Sequence, residues 1–241
     1  MIVTAALAAV TSTLRLAACV TLDRHPLAIA EAAAVADNCS NGRLLVALRD
    51  DQTDGERLQE AAELLLSALA PAPFEHRGAA WTVPAQLPAN TAAEQRVRLT
   101  PAPAQLELPV WLVGPGAGEA ARNLAVAFVA DYAEDSDTGR LAWQHAEARL
   151  LGGARRLRRP ALRELGTDDR GNFDSEGLLE RLRGERSAWG LDTVLLRLPS
   201  RLSQNALERA VARLATEVVP RVALDSLPAG LEDHWKEAIP A

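Results

Sequence analysis

The stretch "VWLVGPGAGEAARN", Val110–Asn123, carries the reading of the fold. Val110 to Val113 are consecutive apolar residues, branched or aromatic, as a buried strand requires. From Glu119 the pattern becomes that of a helix with an acidic residue in its first turn. Gly114, Gly116 and Gly118 lie between, and glycine permits positive φ and close backbone approach. A helix that starts after such a turn offers free N–H groups and the positive end of its dipole, a place where phosphate binds. The same turn serves as a plain tight connection in any α/β fold, so the motif alone leaves both readings open. A dinucleotide fingerprint G-x-G-x-x-G fails at its last position, although Glu134 and Asp135 follow at about the right distance.

Working outward, the chain has 241 residues, 48% of them hydrophobic, enough for one sizeable core, so a single domain over 1–241 is expected. A net charge of −6 opposes capture of nucleic acid or of an anionic membrane surface. Cys19 and Cys39 supply neither a disulfide framework nor a metal spacing, and read as reduced cytoplasmic thiols. His76, His145 and His234 are too scattered for a ligand set, so no metal site is expected. No apolar run is long enough to span a bilayer. The apolar start, Met1 to Val10, lacks a basic region and reads as a core helix rather than a signal.

Thr4 to Val10 has helical spacing, Leu14 to Thr21 reads as a strand, and Pro26 opens a helix reaching about Asp37. Asn41-Gly42 is a turn before a short buried strand, Leu44 to Leu48. Thr53 or Asp54 can cap a helix with Leu58, Ala61, Ala62, Leu65, Leu66 and Leu69 along one face. About 71–109 the pattern degrades into an irregular Pro-rich excursion with a short strand near Trp81, the kind of segment that forms a lid or a poorly ordered stretch. After Val110–Val113 come a strand at Val129 to Tyr132, a helix at Asp137 to Leu151 and a basic solvated segment, Arg155 to Arg159. Asp174 or Ser175 caps a helix to about Trp189, Leu191 to Leu198 is a clear strand, and Asn205 to Val219 is a helix that Pro220 should end. Strands alternating with helices of this length imply parallel pairing through crossovers, in a sheet or a barrel.

Four stretches together resemble the bacterial luciferase-like monooxygenase family, flavin- or deazaflavin-dependent TIM barrels. "TAALAAVTSTLRLAACVTLDRHPLAIAEAAAVADNCSNGRLLVAL" (Thr4–Leu48) is similar to the family's helix, third strand, His-Pro helix start and Ser-x-Gly-Arg turn into the fourth strand. "ERLQEAAELLLSAL" (Glu56–Leu69) resembles the helix after the family's active-site loop. "PVWLVGPGAGEAARNLAVAFVADYA" (Pro109–Ala133) resembles its Pro-hydrophobic strand, glycine turn, helix and Ala-Asp strand. "GLDTVLLRLP…ALERAVARLATEVVPRV" (Gly190–Val222) resembles its closing strand and helix. The resemblance implies an α/β fold: an incomplete or reduced (β/α)8 TIM-type barrel of parallel strands with outer helices. It is reduced because the family begins with two strands and a helix before the segment that resembles Thr4–Val10. The family's glycines after the fourth strand are also replaced here by "ALRDDQTDG", Ala47–Gly55. Open sheet edges would then invite a second subunit or capping by the Pro-rich segment.

The resemblance places Cys19, Val20 and Thr21 at the strand end against which a flavin ring rests, and implies a backbone distortion there, often a non-proline cis peptide. The plain alternative is a strand end with a small packed thiol. His25 is a weak catalytic candidate that can hydrogen-bond flavin or substrate, or simply cap its helix. Arg43, at the amino end of its strand, reads as structural. Arg49, at a carboxyl end, can reach a phosphate or substrate carboxylate, or pair with Asp50 or Asp51. In the family context Gly114, Gly116, Ala117 and Gly118 become backbone candidates for a flavin-type phosphate, with Glu119 competing. "GTDDRGNFDSEG" (Gly166–Gly177) does not fit a calcium loop and reads as a solvated loop ending in a helix cap.

The implied function is a flavin-dependent oxidoreductase or monooxygenase acting on a small organic substrate, with FMN or the deazaflavin F420 as cofactor and a flavin reductase as a partner. A homodimer, or a heterodimer with a full-length homologue, is the expected assembly. The alternative function is that of a reduced, non-catalytic relative: a flavin-binding protein, or a structural subunit of a heteromer with a full-length homologue, with no cofactor if the site is degenerate. An added-flavin spectrum separates the two.

Overall fold

A computed structural model describes residues 1–51, 55–85, 96–114, 116–129, 160–189 and 193–224. The chain groups into two compact units, Met1–Pro160 and Ala161–Ala241. Each is described by itself.

The first unit opens with α1 (Ile2–Ala9), β1 (Leu16–Thr21), α2 (Pro26–Ser40), β2 (Leu44–Arg49) and α3 (Gly55–Leu69). A strap with two short antiparallel strands follows, β3 (His76–Arg77) and β4 (Thr82–Val83). Then come β5 (Val110–Val113), α4 (Ala117–Leu124) and β6 (Ala127–Phe128). The strand order is β1-β2-β5-β6, parallel at every pairing, as the alternation of strands and helices predicts. Leu16, Ala18, Leu44, Val46, Leu48, Val110 and Leu112 are buried on one face, as are Ile29 and Ala33 of α2 and Leu58, Ala61, Leu64 and Leu65 of α3. Full burial of each such leucine contributes about 1.5–3 kcal/mol, so this layer accounts for the unit's cohesion. On the other face of the edge strand β1, Ala17, Cys19 and Thr21 are exposed. Among the described residues neither unit closes a cylinder: the barrel is incomplete.

Local signals act as the sequence predicts. Asn41 and Gly42 take left-handed conformations, and Gly42 N–H returns to the Asp37 carbonyl at 3.0 Å, ending α2. Arg43 reaches back to Ala8 O, Thr11 O and Leu14 O at 3.0, 2.8 and 2.6 Å, so it closes the end of α1 and is structural. The helix reading of Thr53 and Asp54 as caps, and the helix Asp137 to Leu151, lie outside the described residues, as does Tyr132.

The helix expected at Met1 to Val10 forms as α1 but is not a core helix: only Ala8 is buried, while Ile2, Val3, Leu7 and Val10 are exposed. Two further expectations change. The strand placed at Val129 to Tyr132 begins earlier, as β6, because Ala125 adopts a left-handed conformation (φ 54°) that turns the chain immediately after α4. Val129 still donates its N–H to Leu112 O at 2.8 Å, prolonging the ladder.

The second unit contains all but the first residue of β7 (Pro160–Glu164), with α5 (Ser175–Trp189), β8 (Thr193–Arg197) and α6 (Gln204–Arg213), and β7 and β8 form a two-stranded sheet. Its core is Leu165, Phe173, Leu178, Leu179 and Val218. Asp174 caps α5 by accepting from Gly177 N–H at 3.0 Å. Here lies the other change: Pro220 does not end the helical path. A π-helical turn (Leu214–Val218) follows α6, and α7 (Val219–Leu224) carries the chain through the proline. Proline lacks an N–H and collides with the carbonyl four residues back in an α-helix. The wider turn just before it, with Val219 N–H bonded to Leu214 O, is the kind of local adjustment that accommodates both defects. β7 carries no sequence expectation.

Candidate cofactor site

The parallel register decides which candidates meet. Thr21 is paired with Arg49, and Arg49 with Val113, so the carboxyl ends of β1, β2 and β5 lie side by side. Cys19 and Thr21 share the open face, whereas Val20, by strand alternation, belongs with the helix-covered side. The three residues stay in ladder register with Ala47, Leu48 and Arg49. The cis bonds among the described residues precede Pro84 and Pro101, so the distortion expected at Cys19–Thr21 is not a cis peptide. Burial pushes the Cys19 thiol up, against the opposing pull of Arg49.

Arg49 is half-exposed and pairs with Asp51 at 2.6 Å, one of the partners foreseen for it. The glycine corner stands on the same rim, immediately after Val113. Gly114 (φ +105°) and Gly116 (φ +74°) need their positive φ. Their lack of a side chain also admits protein backbone: a Cβ on Gly114 would lie 2.8 Å from Asp50 O, and one on Gly116 would lie 2.7 Å from the Gly55 Cα. The Ala117 N–H donates to Gly114 O at 3.1 Å, closing the turn, and Ala117 is buried. Gly118 is half-buried in the first turn of α4, ahead of exposed Glu119. Thus the corner is at once a tight connection and a helix start facing the rim.

His25 caps α2, its Nδ1 accepting from Leu27 N–H at 3.1 Å. Its ring also meets Trp81 edge-on at 6.4 Å. This contact was not legible beforehand. Nor were two further residues, Arg57 and Glu60. Arg57 bonds the buried Asp50 carboxylate at 2.8 Å and Leu22 O at 3.2 Å, and lies 5.5 Å from the centre of the Trp81 ring. Glu60, one turn along α3, accepts from Ala80 N–H at 2.9 Å and Trp81 N–H at 2.8 Å and contacts His76 Nε2 at 3.3 Å. Burial pushes the Glu60 carboxyl up, but those hydrogen bonds together bring it below the ordinary value. The available signal was the Arg-x-x-Glu spacing on the polar side of an amphipathic helix, together with a tryptophan in a chain with few aromatic residues.

The described parts of the Pro-rich excursion, 71–85 and 96–109, have a defined course. Arg98 bonds Pro71 O beyond the carboxyl end of α3, and Gln105 bonds Asp37 near the end of α2. Between these anchors its hairpin reaches the amino ends of both helices, at the rim. Among the described residues no cluster could hold a metal ion, and no helix is long and apolar enough to cross a membrane.

Comparison with curated proteins finds no match. Among solved structures, the monooxygenase RslO1 from Streptomyces bottropensis is similar, with a TM-score of 0.67 at 16% identity over 91% of this chain and 82% of that one. A riboflavin lyase with modified FMN and riboflavin gives 0.68 at 12% identity, over 95% and 74%. The coenzyme F420-dependent tetrahydromethanopterin reductase from Methanopyrus kandleri gives 0.58 at 14%, over 91% and 86%. At these identities the likeness is one of fold. The model of the luciferase-like monooxygenase family matches residues 1–161, two-thirds of the chain and all of the rim just described. The chain belongs to the luciferase-like monooxygenase family.

Proposed function

We propose that the protein is a flavin-dependent oxidoreductase that binds FMN, or alternatively F420, at the carboxyl rim of β1, β2 and β5 and acts on a small organic substrate. The observation that carries this reading is the register Thr21–Arg49–Val113, which brings the strand end, the cation and the glycine corner onto one edge. The donor set suits a cofactor phosphate: one half-exposed guanidinium and the Gly118 amide in the first turn of α4. The exposed face of Ala17, Cys19 and Thr21 carries only small side chains, which suits a flat ring. When bound, the cofactor supplies the redox chemistry. The chain's part is to grip the phosphate through Arg49 and α4, to seat the ring against Cys19 and Thr21, and to hold the surrounding loops. His25 is engaged as a helix cap, which leaves it a weak candidate for proton transfer.

A second reading has no turnover: a flavin-binding protein, or, where the site is degenerate and holds no cofactor, a structural subunit of a heteromer with a full-length homologue; a homodimer is the assembly expected otherwise. The pairing of Arg49 with Asp51 and the filling of the glycine corner by Asp50 and Gly55 favour it. In the enzymatic reading a flavin reductase is the expected partner and the cytoplasm the expected place. Titration with FMN and with F420, followed by visible absorbance, tests both. Saturable binding with substrate-dependent reoxidation of the reduced cofactor supports the enzyme, saturable binding without it supports the flavin-binding protein, and no saturation by either cofactor removes both of these and favours the structural subunit.

A further inference from the structure

We propose that Arg57 is the positioning residue of the cofactor rim. The inference rests on the flavin reading above and names the group that assembles that site. Arg57 stands in the first turn of α3, and its guanidinium reaches three segments at once. One nitrogen donates to Leu22 O, the first residue beyond β1, at 3.2 Å. The other donates to the Asp50 carboxylate, the first residue beyond β2, at 2.8 Å. Trp81 of the strap lies against the same cation at 5.5 Å, and is itself held by Glu60 one helical turn away. Leu22 and Asp50 directly follow Thr21 and Arg49, the two ends that the ligand must meet together. Asp50 also carries the contact onward, because its carbonyl oxygen is the atom that faces Gly114.

A planar, forked cation suits this task because it fixes two acceptors in relative direction, while an ammonium fixes only distance. The Asp50 side chain is 3% exposed and Arg57 28%, so the pair is sheltered and its geometry is held rather than exchanged with water. Arg57 touches no reacting atom. Its effect reaches the ligand through the placement of Thr21, Arg49 and the glycine corner, where a shift of about 1 Å matters.

The test compares the intact protein with Arg57→Met, Arg57→Lys and Arg43→Met. Arg43 is the control, since it is an equally networked arginine at the far end of the strands. FMN and F420 are each titrated, the induced visible circular dichroism of the bound cofactor is recorded, and thermal unfolding is measured in parallel. Arg57→Met should weaken cofactor binding at least tenfold and reduce the dichroic band, and Arg57→Lys should recover only part of both. Arg43→Met should lower the melting temperature yet keep wild-type affinity and dichroism. Should Arg57→Met fail to fold, Trp81→Leu and Asp50→Asn carry the same comparison. Wild-type affinity and dichroism in the Arg57 or Asp50 variants, or an equal loss in Arg43→Met, overturns the inference while leaving the flavin reading intact. Absence of binding by the unsubstituted protein overturns both.

Discussion

The carbonyl oxygen of Asp50 faces Gly114 so closely that a Cβ on that glycine would lie 2.8 Å from it. The turn after β5 is thus shaped against the turn after β2. The same aspartate accepts from Arg57 at 2.8 Å, which joins the glycine corner to the first turn of α3.

Gly114→Ala should therefore destabilise the first unit by about 1–3 kcal/mol, since φ +105° is strained for any residue with a Cβ and the space is taken. Chemical denaturation followed by circular dichroism measures this. Unchanged stability would mean that the corner is looser than its contacts imply.

Arg49→Ala should raise the dissociation constant for FMN about tenfold or more, the loss expected for one charge-assisted contact. Its half-exposed ion pair with Asp51 should matter little to folding, with a change below about 0.5 kcal/mol. Asp51→Asn should tighten binding by removing the competing carboxylate. Fluorescence titration at two salt concentrations reads both variants, and an unaltered affinity in Arg49→Ala would move the phosphate elsewhere.

The Glu60 clamp predicts an acid-sensitive hairpin. A carboxyl held below its unfolded value stabilises above that unfolded value, near pH 4.5, and the contribution disappears as pH falls through the lower folded value. The protection factors of the Ala80 and Trp81 amides, with exchange measured by mass spectrometry and corrected for its intrinsic pH dependence, should fall over that window. In Glu60→Gln they should be low already at neutral pH and change little across the window.

Glu217 makes the corresponding prediction for the second unit. Hydrogen bonds from Arg213, then from Ser175, hold its carboxyl at about 2, against an ordinary 4.5. Its contribution is complete above pH 4.5 and is lost as pH falls from there toward 2. Thermal unfolding at several pH values should show a shallower acid limb in Glu217→Gln, together with lower stability at neutral pH. Parallel limbs in the two proteins would exclude the arrangement.

What was legible in the sequence follows a physical division. Val110–Val113, Leu44–Leu48 and the spacing of Leu58, Ala61, Ala62, Leu65 and Leu69 announced themselves because burial of one face is written locally, residue by residue. Asn41-Gly42 and Pro26 were legible for the same reason, since the turn and the helix start depend on the residue's own backbone freedom. The strand ends that carry Cys19, Thr21, Arg49 and Gly114 could be named from their place in that alternation.

Other features were settled only in three dimensions. No local rule says that Pro220 would be carried through by a wider helical turn, or that the Asp50 carbonyl would pack against Gly114. Nor could spacing reveal that Arg57 joins Leu22, Asp50 and Trp81, because those partners lie 35, 7 and 24 residues away and meet through strand register and the return of the strap. The sequence by itself determined the elements and their order, since each depends on short-range periodicity. The tertiary structure decided which side chains share the rim and what occupies its corners, since those depend on contacts between segments far apart in the chain.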